Sequence, residues 1–238
     1  MNLSFYTAAV GAQQQQDRLD VYANNIANIN TPGFRAKQPS FSQLMTGPVV
    51  GIEDDLPRGV GARMEDAATD FRAAALQGTE RSLDYAIEGD GFFGLVDPRT
   101  NEISYTRDGS FTMSQFITGE GEEKWYLSDG VGRFVLGPDG QPVEVADEHA
   151  SLSDAIGVFD FINHDGMRSL GDNRIVPVEK NGAVGLGSGK AVQGFLEMSN
   201  ADLANEMTKV IEAQRSFQYA LRMVTTSDEI ETTVNNLR

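Results

Sequence analysis

The N-terminal residues show a helical pattern of apolar positions. The residues that share one face recur mostly at steps of three and four: Phe5, Ala8, Ala12, Leu19, Tyr22 and Ile26. This spacing is that of one side of an α-helix, and residues 5–29 contain no proline. The pattern therefore predicts an N-terminal helix with a narrow apolar stripe.

A second, longer pattern runs from about residue 202 to residue 237, a stretch without glycine or proline. Its stripe alternates steps of four and three, with one polar interruption: Leu203, Met207, Val210, Gln214, Phe217, Leu221 and Val224. This alternation is the heptad spacing of helices that pack against other helices. Ser199, Asn200 or Asp202 is expected to cap the start of the helix.

The region between the helices predicts β-structure. Short apolar runs alternate there with Asp-Gly dipeptides, the commonest short hairpin signal. The sequence thus predicts an α+β fold in which terminal helices flank a β-rich middle. The expected segments are a helix over 1–33, an extended connector over 34–75, a β-domain over 76–189, a hinge over 190–199 and a helix over 200–238.

The first helix ends in the unusual run "NNIANINTPGF". Asn24, Asn25 and Asn28 are poor helix formers. In a chain that packs against copies of itself we expect their amides to bind neighbouring subunits, with capping of the helix end as the alternative for Asn28 and Asn30. The residues Thr31, Pro32 and Gly33 predict a turn, because proline disfavours helical geometry at the preceding residue and Pro-Gly suits the centre of a type II turn.

Charge and composition limit the classes of function. The net charge is −16, which disfavours binding to nucleic acid, and most of the acidic excess lies between residues 46 and 198. No apolar run is long enough to span a bilayer, and the N-terminus lacks the features of a signal peptide. Cysteine is absent, which excludes disulfides and thiolate metal sites.

No catalytic, cofactor-binding or metal site is expected. His149 and His164 lack metal-ligand spacing and are expected at the surface. Residues 161–172 resemble a calcium loop, but Phe161 stands at the first ligand position. Residues 182–192 resemble a phosphate loop only loosely, because Val184 stands where a glycine is required.

One alternative remains open from the residues alone. The chain would then be a secreted β-domain on a helical stalk that binds a ligand such as a carbohydrate. The aromatic residues Phe92, Phe93, Trp125 and Tyr126 would form its exposed platform. A hydrolase ranks lower, because no catalytic constellation stands out among the many carboxylates.

Three stretches carry a resemblance to the bacterial flagellar rod and hook protein family. "YTAAVGAQQQQDRLDVYANNIANINTPGFRA" is similar to the N-terminal signature of that family. "LDYAIEGDGFFGLVD" and "YTRDGSF" resemble the central block of its rod members, and "VQGFLEMSNADLANEMTKVIEAQRSF" resembles the C-terminal block. The three blocks occur in order and together cover about half of the chain.

The resemblance implies a structural subunit of the flagellar basal-body rod, a tube that transmits torque from motor to hook and encloses the export channel. The terminal helices would pair as a coiled coil along the tube, with the β-domain outside. Expected partners are copies of the chain, other rod and hook proteins, and the flagellar type III export apparatus, which would export it without a cleaved signal. The opening and turn segments and the short connector after Met45 favour a proximal rod subunit, whereas "GDGFF" and "YTRDGSF" resemble the distal rod protein, so both positions stay open. The assembly interface would comprise Leu19, Tyr22, Asn24, Asn25, Ile26, Asn28, Leu203, Met207, Val210, Gln214, Phe217, Leu221 and Val224.

Overall fold

The computed structural model describes residues 3–46, 58–117, 123–146 and 151–237. Within them a long helix lies near each end of the chain, α1 (Leu3–Ala27) and α2 (Leu203–Asn236). The strands between them are β1 (Lys37–Thr46), β2 (Arg58–Thr69), β3 (Leu76–Gly78), β4 (Tyr85–Glu88), β5 (Phe92–Val96), β6 (Ile103–Thr106), β7 (Thr112–Ile117), β8 (Glu123–Ser128), β9 (Phe134–Val135), β10 (Val158–Phe161), β11 (Arg168–Gly171), β12 (Arg174–Val176), β13 (Val184–Leu186), β14 (Lys190–Gln193) and β15 (Phe195–Glu197). A 3-10 turn covers Glu179–Asn181. The predicted α+β class, with a β-rich middle between terminal helices, is confirmed.

Both helices begin and end within a few residues of the predicted positions. The start of α2 is capped by Asp202, whose Oδ1 accepts a hydrogen bond of 3.1 Å from the backbone N–H of Ala204. This bond satisfies one of the backbone donors that a helix leaves open at its N-terminus. Neither helix is long and apolar enough to cross a membrane, and the same holds for every described helix.

The chain divides into two compact units, and the first contains both helices with residues Lys37–Ala68. In this unit α1 packs against α2, and the paired strands β1 and β2 lie beside α1. A Cβ atom added to Gly61 of β2 would lie within 4 Å of the Thr7 and Val10 side chains of α1. Much of the stretch predicted as an extended connector is extended, and its strands are hydrogen-bonded to each other.

The second unit comprises Asn28–Ala36 and Thr69–Ala201. Its main sheet has the strand order β11-β12-β6-β5-β9-β8-β7, and β10 pairs with both β5 and β13. The pairs whose register is resolved within this sheet are antiparallel. Two further antiparallel pairs, β4 with β14 and β3 with β15, join residues near 80 to residues near 195.

The core of the second unit lies on both faces of β5. Phe93 and Leu95 point into the largest cluster of buried side chains, whereas Phe92 points into a second cluster with Tyr105 and Phe161. Alternate residues of a strand face opposite sides of a sheet, so a strand with core on both faces carries a continuous apolar run. All five residues of β5 are buried.

The exposed aromatic platform of the carbohydrate-binding alternative is not formed. Phe92 and Phe93 are buried because they lie on the central strand β5, and Tyr126 packs against Phe134. Among the four aromatic residues only Trp125 is exposed. A single ring does not make a binding platform.

Residues 190–199, predicted as a flexible hinge from their neighbouring glycines, contain the strands β14 and β15. Their partners β4 and β3 lie more than 100 residues earlier in the chain, so local composition carries no sign of the pairing. The resemblance of residues 182–192 to a phosphate loop is also not reflected in the structure, because Lys190 lies in the strand β14 and pairs with Glu88 of β4.

His164 is half-buried rather than simply solvated. Its Nε2 lies 2.8 Å from Asp160 Oδ1, and its ring lies beside the rings of Phe71 and Phe92. The calcium-loop resemblance over 161–172 falls on the end of β10, the connection that follows it and the whole of β11. His149 lies outside the described residues.

The predicted turn after α1 is confirmed as a type II turn. The backbone N–H of Phe34 donates to the carbonyl oxygen of Thr31 over 3.3 Å, and Gly33 has φ +68°. Glycine is also required by space, because a Cβ atom at Gly33 would lie 2.3 Å from the backbone nitrogen of Asp108. The turn is therefore packed directly onto the segment that follows β6.

Gly33→Ala is expected to destabilise the protein by roughly 2–5 kcal/mol, because a side chain adds both left-handed backbone strain and a clash with fixed backbone. Urea unfolding of the purified variant measures this change. The control is Gly130→Ala, since nothing lies within 4 Å of a Cβ at that glycine and its φ is not in the left-handed region. Equal unfolding midpoints for the two variants would contradict the role given to Gly33.

Candidate assembly site

The side of α2 that faces α1 is lined by small and polar residues as well as by apolar ones. Its buried residues are Glu206, Ala213 and Ser227. Ala220 continues their seven-residue spacing and is half-buried. Alanine and serine let two helices approach closely, so this line contributes contact without large apolar side chains.

Half of the predicted stripe on α2 joins this buried side. Val210, Phe217 and Val224 are half-buried and alternate with the small-residue line at steps of three and four. The other half of the stripe turns away from α1. Leu203, Met207, Gln214 and Leu221 are exposed.

On α1 most of the predicted stripe is oriented inward, whereas Phe5, its first residue, is exposed. Tyr22 is only 3% exposed, and Leu19 and Ile26 are half-buried. Two cations lie near the Tyr22 ring, the Arg18 guanidinium at 5.4 Å from the ring centre and the Lys209 amino group at 5.5 Å. Arg18 also donates from Nε to the Tyr22 hydroxyl over 2.8 Å.

Asn25 is fully buried, and its amide is bonded within the chain. Its Nδ2 donates to the carbonyl oxygen of Lys37 over 2.8 Å, and its Oδ1 accepts from the backbone N–H of Lys37 over 2.9 Å. The side chain thus pairs with both the backbone N–H and the backbone carbonyl oxygen of Lys37, much as a neighbouring strand would. Asn25 fixes the first residue of β1 to the last turns of α1, which differs from the expected contact with a neighbouring subunit.

A carboxylate from α2 holds the Asn25 amide in this orientation. Glu206 Oε2 accepts from Asn25 Nδ2 over 3.0 Å, and Glu206 Oε1 accepts from Lys209 Nζ over 2.7 Å. Because the carboxylate only accepts, it selects the orientation in which Nδ2 points toward α2. Asn25 and Glu206 therefore tie α1, β1 and α2 together.

The other two asparagines differ in their surroundings. Asn24 is exposed on α1. Asn28 accepts at Oδ1 from the Thr31 hydroxyl over 3.2 Å, and its carbonyl oxygen accepts from the backbone N–H of Thr31 over 3.2 Å. Asn28 thus closes the turn after α1, which agrees with the capping alternative.

In the second unit, one buried carboxylate joins three distant segments. Glu197 Oε1 accepts from Arg35 Nη2 over 2.8 Å, and Glu197 Oε2 accepts from Arg107 Nη1 over 3.0 Å. The side chains of Glu197, Arg35 and Arg107 are 1%, 7% and 5% exposed. We refer to these three residues as the Arg–Glu–Arg cluster.

The Arg–Glu–Arg cluster carries one more positive than negative charge in a buried place. Burial lowers the pKa of the Arg107 guanidinium, and the Glu197 carboxylate acts in the opposite direction. Both guanidinium groups also donate to backbone carbonyl oxygens. Arg35 donates to the carbonyl oxygen of Arg72 and Arg107 donates to that of Gly89, each over 2.8 Å. The cluster therefore also fixes the backbone on either side of itself.

Neighbouring contacts extend the same connection. The backbone N–H of Gly33 donates to the carbonyl oxygen of Glu197 over 2.7 Å. Asn200 Oδ1 accepts from the backbone N–H of Ala36 over 2.7 Å, while its Nδ2 donates to the carbonyl oxygen of Asp70 over 2.8 Å. The residues that follow α1 and those that precede α2 are thus bound to each other within this unit.

Sequence reasoning missed Glu206, Ala213, Ser227 and the Arg–Glu–Arg cluster. Glu206, Ala213 and Ser227 were missed because charged, small and hydroxylated residues do not contribute to a pattern of large apolar positions. The cluster was missed because it joins residues up to 162 positions apart in the sequence. The signals in the sequence were the block similarities themselves, which contain Arg35, Arg107 and Glu197. No group of three or more potential metal ligands comes together in the described part of the chain.

Three family profiles match the chain. The profile described as flagella basal body rod protein matches residues 5–35, the flagellar hook protein FlgE/F/G D1 domain matches 86–123, and the flagellar basal body rod FlgEFG protein C-terminal matches 192–237. Each matched stretch contributes one residue to the Arg–Glu–Arg cluster.

Relatives are similar over their whole length. The chain is 33% identical to the flagellar basal-body rod protein FlgG of Bacillus subtilis, over 99% of this chain and 98% of the relative. It is 31% identical to the protein of the same name from Borreliella burgdorferi, over 100% and 99%. The flagellar hook-basal body complex protein FlhP of Bacillus subtilis is 28% identical over 99% of both chains.

Asn25→Ala is expected to speed amide hydrogen exchange at Lys37, because the N–H of Lys37 loses its buried acceptor. The variant should lose about 1–3 kcal/mol of stability, since Glu206 and the Lys37 carbonyl also lose a donor. Hydrogen exchange resolved to single residues measures the first effect. Asn24→Ala, one residue away and exposed, is the control, and equal exchange in both variants would refute the role of Asn25.

Glu197→Gln is expected to cost roughly 3–5 kcal/mol, because it leaves two buried guanidinium groups without a counter-charge. Urea unfolding followed by the fluorescence of Trp125, the single tryptophan, measures the loss. Glu144→Gln is the matched control, because Glu144 pairs with Lys124 at the surface and such pairs contribute less than about 1 kcal/mol. Similar midpoints for both variants would argue against the importance of the cluster.

Proposed function

This chain belongs to the family of flagellar basal-body rod proteins, and on that premise we propose how it builds the rod. Its role in the basal body is that of a structural subunit. The proposal is that α1 and α2 pair as a coiled coil, and that the paired helices of neighbouring copies form the wall of a tube. The tube encloses the export channel and transmits torque from the motor to the hook.

The exposed half of the α2 stripe supports this proposal. Leu203, Met207 and Leu221 lie on α2 in the spacing of a helix-packing surface, yet each is more than 40% exposed. Burying large apolar side chains is favourable by about 1.5–3 kcal/mol each. Contact with another helix is therefore the arrangement in which this side of α2 is most stable.

The other elements of the proposal rest on the family. The predicted interface residues divide into two sets, those that pair α1 with α2 and those that contact neighbouring copies. Other rod and hook proteins are the remaining structural partners. We further propose that the chain has no catalytic activity and reaches the growing rod through the flagellar type III export apparatus without a cleaved signal. A proximal position within the rod stays a prediction.

Leu221→Asp is expected to abolish motility, because a carboxylate on the packing surface cannot be buried between copies without a partner. The measurement is spreading in soft agar, with electron microscopy of isolated basal bodies, in a strain that lacks the native gene and carries the variant. Because Leu221 is exposed, the variant should accumulate to the wild-type level.

Thr226→Asp is the matched control, because Thr226 is exposed on the opposite side of α2. It should support normal motility. If Leu221→Asp also gives full motility and intact rods, the exposed stripe is not an assembly surface. If deletion of the gene leaves flagella unchanged, the rod function itself is wrong.

A further inference from the structure

A polar cleft of about 470 Å³ lies within the second unit. Four segments that are distant in sequence meet there: the turn after α1, the residues that follow β6, the turn between β8 and β9, and the turn between β11 and β12. The cleft is large enough to hold a small molecule. Side chains that line it with hydrogen-bonding groups include Thr31, Asp108, Ser110, Arg133, Asp172 and Asn173.

Arg133 places a buried cation at the cleft. Its side chain is only 7% exposed, and its Nε donates to Asp129 Oδ2. Nη1 lies 3.6 Å from Asp172 Oδ2, which is too far for a hydrogen bond. Neither Nη1 nor Nη2 is hydrogen-bonded to another residue that the structure describes. Because a guanidinium has five donors and burying a donor without an acceptor is costly, Arg133 favours an anionic acceptor supplied from outside the chain.

Two carboxylates at the cleft also keep unused acceptors. Asp172 is 63% exposed, and its Oδ2 lies 3.6 Å from Arg133 and 3.8 Å from Arg174, beyond hydrogen-bond distance of both. Asp108 Oδ1 accepts from the backbone N–H and the hydroxyl of Ser110. Its Oδ2 accepts from no other described residue. Both carboxylates can therefore bind a cationic group.

The position of Asp172 is fixed by the backbone of its turn. Asp172 and Asn173, with φ of +50° and +54°, join β11 to β12. Asn173 Nδ2 donates to the carbonyl oxygen of Pro32, and the Asn173 carbonyl oxygen accepts from the Thr106 hydroxyl, each over 3.0 Å. Because two other segments hold this turn, little ordering is needed for a ligand to bind at Asp172.

The charges at the cleft are complementary to those of a basic amino acid. Arg133 and Asp172 lie side by side, and an α-amino acid carries a carboxylate and an ammonium on one carbon atom. Asp129 does not take part, because its Oδ1 accepts from three backbone N–H groups and its Oδ2 accepts from Arg133. Asp108 adds a further negative charge, which suits a second cationic group on the ligand.

We infer that this cleft binds a basic amino acid such as lysine. The α-carboxylate of the ligand accepts from the terminal nitrogens of Arg133, and its α-ammonium donates to Asp172. The side-chain ammonium donates to Asp108. Hydrogen bonds between charged groups are about twice as strong as those between neutral groups, so these three contacts select the ligand by its charges. The inference goes beyond the proposed function and does not rest on it.

Isothermal titration calorimetry of the purified full chain with L-lysine tests the inference. Lysine is expected to bind at one site per chain. Three analogues each lack one charge: Nα-acetyllysine lacks the α-ammonium, cadaverine lacks the carboxylate and norleucine lacks the side-chain ammonium. Each analogue should bind at least about 10-fold more weakly than lysine, because each leaves one charged group of the cleft without its partner.

Asp172→Asn should weaken lysine binding by roughly 10-fold or more, because it removes the charge that binds the α-ammonium. The variant should keep the wild-type urea midpoint, since Asp172 is largely exposed. The matched control is Asp139→Asn, because Asp139 is exposed in a turn that does not line the cleft. It should bind lysine as the wild type does.

Three results would overturn the inference. The first is the absence of saturable lysine binding at millimolar concentration. The second is an analogue that binds as tightly as lysine, which shows that the three charges are not read together. The third is unchanged lysine affinity in Asp172→Asn, which places binding elsewhere. None of these results bears on the rod function, which the deletion strain tests separately.

Discussion

The β-rich unit depends on the carboxylate of Glu197, which is bound by two arginines from distant parts of the chain. Moving an ion from water into a protein interior costs several kcal/mol, and only a close partner with further hydrogen bonds offsets that cost. Here each carboxylate oxygen has its own guanidinium, and each guanidinium also binds a backbone carbonyl. A small displacement of any one segment would therefore leave a buried charge without a partner.

The Arg–Glu–Arg cluster also sets the order in which the unit can be completed. Arg35 comes near the beginning of the chain, Arg107 near the middle and Glu197 shortly before α2. The strands β14 and β15 pair with β4 and β3 over similar distances in sequence. These contacts close long loops, and the chain entropy lost in closing a loop opposes their formation until the separate segments are in place. A chain that emerges from its N-terminus cannot complete this unit until about four-fifths of it is available, because Glu197 lies that far along the sequence.

The sequence contained enough information for the helices, the turn and the class of fold, because each depends on neighbours within a few positions. The spacing of Leu19, Tyr22 and Ile26 is sufficient to predict a helix, and the backbone preferences of Pro32 and Gly33 are sufficient to predict a turn. The partner of Asn25 could not be predicted, since a buried amide and a capping amide look the same in sequence. The burial of Glu206 could not be predicted either, because only the packing of α1 against α2 removes this carboxylate from the surface. The strands after residue 190 were mistaken for a hinge because their hydrogen-bonding partners lie far away in the chain.

The most informative finding concerns which residues of α2 face α1. The heptad stripe was assigned from large apolar residues, and half of them, such as Met207 and Leu221, point elsewhere. A helix that contacts only one partner gathers its large apolar residues on one face. In α2 the contact with α1 instead uses small residues such as Ala213 and the hydrogen bond between Glu206 and Asn25, while leucine, methionine and isoleucine remain on the flanks. Apolar residues on more than one face are what a helix needs when it has more than one helical neighbour, and a single chain supplies only one of them.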